Sequence, residues 1–318
     1  MSGALLGWAV FAAFVVVMLS LDLGVFHRRA HEVRVREALL MVALWVSLAI
    51  AFNVAVYFWR GREPAMEFLA GYLLEYSLSV DNIFVFILIF QYFRVPRKYQ
   101  HRVLFWGIMG ALVMRGLLIG VGVALLHLFH WVIYIFGVFL VLTGVKMFFQ
   151  KEEGIDPERN PIVRLASRVL RITKTFREEK FFVSEERKLW ATPLFLVLLV
   201  VEATDLVFAF DSIPAIFGVT TDGFIVFTSN VFAIMGLRSL YFALAGIMDL
   251  FRFLKHGVAI VLVFVGIKIF LGETPYRIPI GMALGILAGI LALSMIVSVI
   301  HTRWVHGGRR KPAPPRGD

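Results

Sequence analysis

The chain has 318 residues, of which 60% are hydrophobic and 17% are charged, with a mean hydropathy of +0.83. Soluble domains carry about a quarter charged residues, so this composition excludes an ordinary soluble protein and indicates a membrane protein. The net charge of +10 does not indicate nucleic-acid binding, since the basic residues lie between apolar runs, and the lack of cysteine excludes disulfides and thiolate metal ligands. The first apolar run, 5–21, has no basic region before it and no obvious cleavage site after it, which predicts a retained span rather than a signal peptide.

The apolar segments predict nine spans, because each is close to the roughly 20 residues that a membrane-crossing helix needs. In chain order the predicted spans are 4–26, 37–59, 66–93, 103–126, 131–149, 191–217, 223–247, 256–272 and 279–300. The predicted fold is therefore all-α and polytopic, with a single transmembrane domain over residues 1–302. The connection over 150–190 is predicted to be an interfacial amphipathic helix or a plain linker. The basic, proline-containing tail over 303–318 is predicted to be disordered.

The distribution of basic residues predicts the orientation. Of the 32 Lys and Arg residues, 25 fall in the tail and in the connections that follow odd-numbered spans, three fall in the other connections, and four lie within spans. Because basic loops stay on the cytoplasmic side, the N-terminus is predicted to face outward and the C-terminus to lie in the cytoplasm. The agreement across every connection supports the count of nine spans.

Spans three to five resemble spans six to eight, which predicts an internal repeat over about 66–149 and 191–272. The matching positions have nearly constant offsets of 122 to 130 residues: Glu75 with Glu202, Asp81-Asn82 with Asp211-Ser212, Arg115 with Arg238, Gly144 with Gly266, and Lys146 with Lys268. Because each copy holds an odd number of spans, the two copies insert in opposite orientations. Inverted repeats with polar residues at matching positions are typical of secondary transporters with a midplane site. The alternative is an old duplication kept only for packing.

Two of the repeated spans contain carboxylates, which a lipid-facing helix excludes. A charge near the bilayer centre costs from about 2.5 to more than 10 kcal/mol, so these side chains are expected to face a polar cavity. The residues are Glu75, Asp81, Glu202, Asp205 and Asp211. Their positions in the two spans predict a ladder of acids, with Glu75 and Glu202 near the centre, Asp81 toward the cytoplasm and Asp211 toward the exterior.

The sixth span has acids on opposite sides. Glu202 and Asp205 are three residues apart and share a helix face, whereas Asp211 is nine residues from Glu202 and points the other way. This span is therefore surrounded by protein or broken. Pro214 favours a break or kink, because it removes the hydrogen bond to the carbonyl of Phe210, and that carbonyl could then bind a cation.

Oxygen ligands predict a hard divalent cation. Asn82 and Ser212 lie beside the acids, and Ser77 and Ser79 supply further oxygens. Carboxylate, amide and hydroxyl oxygens suit Mg²⁺, Ca²⁺ or Mn²⁺. The two acidic segments contain no histidine, which disfavours zinc and copper.

Other charged residues in or near the spans have supporting or structural interpretations. Arg115 and Arg238 are basic residues that could neutralise the acids when no cation is bound. Lys146 and Lys268 lie near span ends and are predicted to snorkel to the interface. Asp22, at the end of span one, either completes the site or is a solvated end residue.

The chain is not expected to be an enzyme. No phosphate-binding loop of the GxxxxGK[ST] type is present, which disfavours ATP hydrolysis. Export of a divalent cation against an inside-negative potential costs about 4.6 kcal/mol per 100 mV, so another gradient must drive it. Carboxylates that release protons on binding metal would allow proton antiport.

Several long motifs resemble the TerC family of integral membrane proteins. The stretches are 21–27, 68–75, 81–86, 101–107, 201–205, 210–217 and 229–241. The resemblance implies a multi-pass protein of the bacterial inner membrane, named for tellurium resistance, with relatives that export Mn²⁺. It implies metal handling by seven residues: Glu75, Asp81, Asn82, Glu202, Asp205, Asp211 and Ser212. The resemblance implies a smaller residue at position 210, so Phe210 is expected to narrow the site.

The leading hypothesis is a Mn²⁺ exporter in contact with membrane lipids. Resistance to tellurite or another oxyanion would require basic ligands, whereas the spans hold six acids, counting Asp22, against four basic residues. A scaffold that supports the stress response or the metalation of exported proteins is a further alternative, with 150–190 as a docking segment. An intramembrane hydrolase is less favoured, because nothing indicates a substrate.

Overall fold

The computed structural model describes residues 2–21, 35–149, 170–185, 188–245 and 253–307. These residues form nine helices and one two-stranded sheet. The helices are α1 (Ser2–Leu21), α2 (Val35–Arg60), α3 (Arg62–Tyr92), α4 (Arg97–Leu128), α5 (Val132–Phe149), α6 (Pro193–Phe217), α7 (Gly223–Leu244), α8 (Leu254–Leu271) and α9 (Ile280–Gly307). The strands are β1 (Phe182–Glu185) and β2 (Lys188–Ala191). Within the described part, α2 to α9 are long and apolar enough to cross a membrane, and the apolar stretch of α1, Leu5–Ser20, is shorter.

The predicted all-α polytopic fold is confirmed, with differences at the helix ends. The third and fourth helices begin four and six residues earlier than predicted, because their polar first turns continue the helix beyond the apolar run. The last helix continues to Gly307, so the predicted tail over 303–318 begins as helix. Asp22, 150–169 and 308–318 lie outside the described residues. The orientation of the termini in the membrane stays a prediction.

The seventh helix lies at the centre of the bundle. In the most apolar 18-residue stretch of α7, 89% of the residues are buried, compared with 17% in the corresponding stretches of α2 and α5. It packs against α2, α3 and α4. Large exposed apolar side chains lie on the peripheral helices, and we infer that these faces contact lipid.

The helix pairs have the packing expected of the predicted repeat. In the repeat, α3 corresponds to α6, α4 to α7 and α5 to α8. The contact of α3 with α7 therefore corresponds to the contact of α6 with α4, and α5 packs extensively against its own counterpart, α8. In that last interface Gly144 lies against the carbonyl of Ala259, and Gly266 lies against the carbonyl of Gly137. The repeat offset of 122 residues relates Gly144 to Gly266 and Gly137 to Ala259, so the two contacts are equivalent in the two copies of the repeat. The inverted topology of the repeat nevertheless stays a prediction.

The described part of the connection between α5 and α6 forms a hairpin, which differs from the predicted helix or linker. The strands pair antiparallel, with Phe182 opposite Ala191. Aromatic and branched residues favour strands, and the Phe182 ring also packs 4.4 Å from that of Phe195 on α6. The hydroxyl of Thr192 donates to the carbonyl of Lys180, 2.7 Å away, where the strand passes into the helix. The amphipathic spacing that suggested a helix lies in 150–169, outside the described residues.

The hairpin segment packs on the first turns of α4. Arg102 lies 3.6 Å from Glu179 and 5.2 Å from the centre of the Phe181 ring. Tyr99 lies 6.4 Å from Phe176, centre to centre. We call this the hairpin end of the bundle.

At the other end, Asp222 ties α7 to α2. Its carboxylate accepts hydrogen bonds from the backbone N–H groups of Phe224 and Ile225, at 3.0 and 3.2 Å, and so caps the helix. Arg60, the last residue of α2, donates to the same side chain at 2.6 Å. Burial opposes ionisation of Asp222, but the hydrogen bonds from Arg60 and the two N–H groups hold its pKa below the usual range.

We expect alanine at Gly144 or Gly266 to lower the free energy of unfolding by about 1–3 kcal/mol, the range for overpacking. A Cβ at Gly144 would lie 2.7 Å from the carbonyl oxygen of Ala259, and one at Gly266 would lie 2.8 Å from that of Gly137. Thermal unfolding in detergent measures the loss. Gly120→Ala is the matched control, since no atom of the described residues outside its own helix backbone lies within 4 Å of its added Cβ, and it should raise stability by about 0.5–1 kcal/mol. Equal effects at all three glycines would contradict the close packing.

We expect Asp222→Ala to cost about 0.5–2 kcal/mol through loss of the cap. Because the folded pKa of Asp222 lies below its unfolded value of about 3.9, its stabilisation is present above that value and is lost as the pH falls through the folded pKa. The difference in unfolding free energy between wild type and Asp222→Ala should be constant from about pH 5 to 8 and shrink below about pH 4. Asp222→Asn keeps the cap and should remove this pH dependence. A difference that persists unchanged into acid would show that the charge of Asp222 has no part in the effect.

Candidate cation site

A buried arginine joins the two acidic segments. The guanidinium of Arg115 on α4 donates from Nε and Nη2 to the two carboxylate oxygens of Asp205, at 3.2 and 3.1 Å. Its Nη1 donates to Glu75 Oε2 at 2.9 Å and to Ser212 Oγ at 3.3 Å. All four side chains are at least 95% buried. We call these four residues the Arg115 cluster.

Helix geometry explains why these residues meet. Asp205 and Ser212 are seven residues apart, about two turns, so they lie on one face of α6. That face packs against α4, and α3 packs against both α6 and α7. Glu75 from α3 and Asp205 from α6 therefore approach Arg115 at the same level. The two predicted acidic spans come together here, with Asp205 rather than Glu202 beside Glu75.

The charges of the Arg115 cluster do not balance when its acids are ionised. Two carboxylates face one guanidinium, which leaves a net charge of −1. Glu75 Oε1 is buried and receives no hydrogen bond from any described residue. A buried acceptor without a donor loses its hydration without compensation, so this oxygen favours the approach of a proton or a cation.

A polar stripe extends the cluster along α3. Tyr72, Glu75, Ser79 and Asn82 follow spacings of three and four residues, so they share one helix face, and all four are buried. The hydroxyls of Tyr72 and Ser79 have no hydrogen-bond partner among the residues that the structure describes. Ser77 points elsewhere and donates to a carbonyl of its own helix. Of the two predicted serines, only Ser79 belongs to the stripe.

Facing this region, α7 approaches α3 closely at Gly71, where an added Cβ would lie 3.0 Å from Ser229 Oγ. Ser229 donates back to carbonyls within α7, so its hydroxyl serves its own helix. Arg238 is buried on α7, whereas Asp81 on α3 is partly buried. Both have further polar interactions. The Arg115 cluster includes neither of them.

Glu202 lies outside the Arg115 cluster, on the same side of α6. It packs against Gly110 of α4, where an added Cβ would overlap its carboxylate. It lines an open groove of about 720 Å³. The other lining residues are apolar: Trp106, Met109, Gly110, Val113, Met114, Leu117, Leu118 and Leu198.

Asp211 faces the opposite side of α6, in agreement with its predicted position around the helix. The hydroxyl of Thr143 on α5 is its hydrogen-bond partner, and Lys146 is the nearby positive charge. Thr143 was missed by the sequence reasoning, although it lies one turn before Lys146 in the repeated span. A polar residue at that spacing was the available signal.

The expected break of α6 at Pro214 and the expected narrowing of the site by Phe210 are wrong. The helix continues without interruption to Phe217, so Pro214 does not break it. Pro214 removes the hydrogen bond to the carbonyl of Phe210, but only three helical residues follow it and the loss of this one bond does not end the helix. Phe210 is 57% exposed on the outer surface of the helix and therefore does not narrow a site between helices.

The end of the bundle opposite the hairpin holds another polar group that the sequence reasoning missed. Glu67 on α3 accepts a hydrogen bond from Thr220 at 2.7 Å. Lys268 donates to the carbonyl of Gly218 at 2.9 Å, which anchors α8 to the end of α6 instead of snorkelling as predicted. An acid one residue inside the predicted third span was the signal for Glu67.

Among the described residues, no three acidic or histidine side chains form a group that could hold a metal ion. Two carboxylates converge, with a guanidinium between them. The cation that these carboxylates bind in this structure is the guanidinium of Arg115.

Comparison with known proteins identifies the family. Residues 60–306 match the Integral membrane protein TerC family. The chain belongs to the TerC family. The TerC match includes α3 to α8 and therefore the whole Arg115 cluster.

The TerC relatives are similar over nearly their whole length. An uncharacterized membrane protein STKORF319 of Myxococcus xanthus is 53% identical over 296 residues, which are 93% of this chain and 92% of the relative. A protein of Escherichia coli K12 named "Putative membrane-bound redox modulator Alx" is 46% identical over 313 residues, 96% of each chain. An uncharacterized membrane protein of Rickettsia bellii is 40% identical over 295 residues, 93% of this chain and 97% of the relative. No solved structure matches the chain.

We expect Asp205→Asn to destabilise the protein more than Glu75→Gln. Asp205 accepts two hydrogen bonds from Arg115, so its loss should cost about 3–5 kcal/mol, the range for breaking a buried ion pair. Glu75 accepts one, and its neutralisation leaves Arg115 paired with Asp205, so about 1.5–3 kcal/mol is expected. Denaturant unfolding in detergent measures both. The reverse order would contradict the assignment of Asp205 as the principal partner of Arg115.

Proposed function

We propose that this TerC protein is a secondary transporter that exports a divalent metal cation, with Mn²⁺ as the substrate. The observation that supports this most is the Arg115 cluster, which places Glu75 and Asp205 together inside a membrane-spanning bundle. Ionisable groups are costly there and are normally retained for function. The uncompensated Glu75 Oε1 is the atom at which a cation would first be bound.

The ligand chemistry favours a cation over an oxyanion. Two carboxylates outnumber the single guanidinium, and Ser79 and Asn82, on the same face of α3 as Glu75, offer further hydroxyl and amide oxygens. Such ligands fit Mg²⁺, Ca²⁺ and Mn²⁺ alike, and the resemblance to TerC exporters favours Mn²⁺. Asp81, Glu202 and Asp211 would then act at other points of the path.

The name of the Escherichia coli relative refers to redox modulation. This chain has no cysteine, so it cannot undergo thiol–disulfide chemistry of its own. A change in the supply of a redox-active cation such as Mn²⁺ would affect redox chemistry indirectly. Metal export and that name are therefore compatible.

Proton exchange would supply the driving force. We place the N-terminus outside the bacterial inner membrane and the basic connections in the cytoplasm, by the charge distribution. Export then opposes an inside-negative potential at about 4.6 kcal/mol per 100 mV for a divalent ion. The carboxylates outside the Arg115 cluster, Asp81, Glu202 and Asp211, would couple the two movements by taking up protons outside and releasing them when metal passes on the inside.

Transport of Mn²⁺ in proteoliposomes tests the proposal. Flux in the wild type is compared with that of Glu75→Gln, Asp81→Asn and Asp211→Asn, and we expect a loss of about ten-fold or more in each. Asp222→Asn is the control, because this acid lies in the connection between α6 and α7. Equal flux in all variants would remove the carboxylates from the mechanism. Absence of flux in the wild type would favour the scaffold hypothesis.

A further inference from the structure

Arg115 occupies the oxygens that a bound cation would need. Both oxygens of Asp205 and one of Glu75 accept hydrogen bonds from its guanidinium. A cation that enters the cluster finds only Glu75 Oε1 without a donor. Binding through both carboxylates therefore requires the guanidinium to withdraw.

We propose that Arg115 is an internal counter-ion that the transported cation displaces. In the empty protein the guanidinium offsets one of the two carboxylate charges, and in the loaded protein the divalent cation takes its place. This inference rests on the proposed function and adds to it the residue that makes the empty state stable. Arg115 thus positions the carboxylates in the empty protein and competes with the cation for their oxygens.

The charges of the possible states support this exchange. With Arg115 in place and both acids ionised, the empty cluster has a net charge of −1. Without it, two unpaired carboxylates would be buried side by side, which is much less favourable. With a divalent cation bound and the guanidinium still in contact, like charges would repel at short range. The two cations are therefore alternatives.

The structure offers Arg115 a neutral partner during the exchange. Ser212 Oγ lies 3.3 Å from Nη1, on the same face of α6 as Asp205. The guanidinium can keep this contact while the carboxylates turn to the metal, because hydroxyl oxygen accepts a hydrogen bond without adding charge.

A consequence follows for transport. A carrier that exports a cation must return empty, and the empty cluster needs Arg115 to cross without two uncompensated charges. Exchange of one cation for another needs no empty return. Removing Arg115 should therefore tighten binding, preserve exchange and block net export.

The test uses Mn²⁺ alone as the probe, with full-length wild type, Arg115→Met and Arg115→Lys. Equilibrium binding in detergent is read from the loss of the free Mn²⁺ electron spin resonance signal. Net export and Mn²⁺–Mn²⁺ exchange are measured separately in proteoliposomes with radioactive Mn²⁺. We expect Arg115→Met to bind about ten-fold more tightly and to lose about ten-fold of net export, with exchange changed by less than about three-fold. Arg115→Lys should recover part of net export, because its ammonium keeps the charge but lacks the bidentate fork.

A matched control separates charge from general damage. Arg60 is also paired with an aspartate, Asp222, but lies at the end of α2 away from the cluster. Arg60→Met should leave binding and both fluxes unchanged. If Arg115→Met is not monodisperse in detergent, Arg115→Lys decides, with net export reduced more than exchange as the expected result.

Weaker or unchanged Mn²⁺ binding in folded Arg115→Met would overturn the inference, because Arg115 would then support the ligands and not compete with the metal. Equal losses of net export and exchange would overturn it as well. A wild-type protein that neither binds nor moves Mn²⁺ would refute the proposed function itself, and the inference with it. That outcome is recognised in the wild type before any variant is compared.

Discussion

The ion pairs of Arg115 with Glu75 and Asp205 constrain the whole bundle. A guanidinium in the membrane interior must have its partners, since a buried charge without one is strongly unfavourable. The partners come from α3 and α6, so these helices must meet α4 at one level. Gly71 allows the close approach of α7 that completes the enclosure. The close helix contact at Gly71 and the ion pairs of Arg115 therefore constrain the same group of helices.

The same constraint explains why α6 has acids on two faces. Asp205 and Glu202 lie toward α4, and Asp211 lies toward α5. An unbroken helix in a membrane can carry acids on two faces only if each face is covered by other helices or lines a polar space. The packing of α6 between α4 and α5 supplies this cover, while Glu202 lies where the cover ends in an open groove.

Hydropathy and helical periodicity were enough to predict the spans and the opposed faces of α6, because both depend on local spacing. They could not predict that Asp205 meets Glu75, since that depends on how α6 is rotated against α3 and α4. Pro214 does not break α6, because only three residues follow it and the one hydrogen bond that it removes is not enough to end the helix. Phe210 was placed in the site by its position beside Asp211, yet neighbours in a helix point about 100° apart and this one faces outward. The hairpin was missed because its strands are only four residues long.

The two ends of the bundle are closed by different kinds of contact, which matters for any transport through the Arg115 cluster. Opposite the hairpin, polar contacts join the helix ends: Lys268 with the Gly218 carbonyl, and Thr220 with Glu67. Hydrogen bonds of this kind contribute about 0.5–1.5 kcal/mol each, so such contacts can open at small cost. At the hairpin end, Phe176 and Phe181 pack against the main apolar core. Opening there exposes aromatic surface and costs more, so access from the polar end requires the smaller rearrangement.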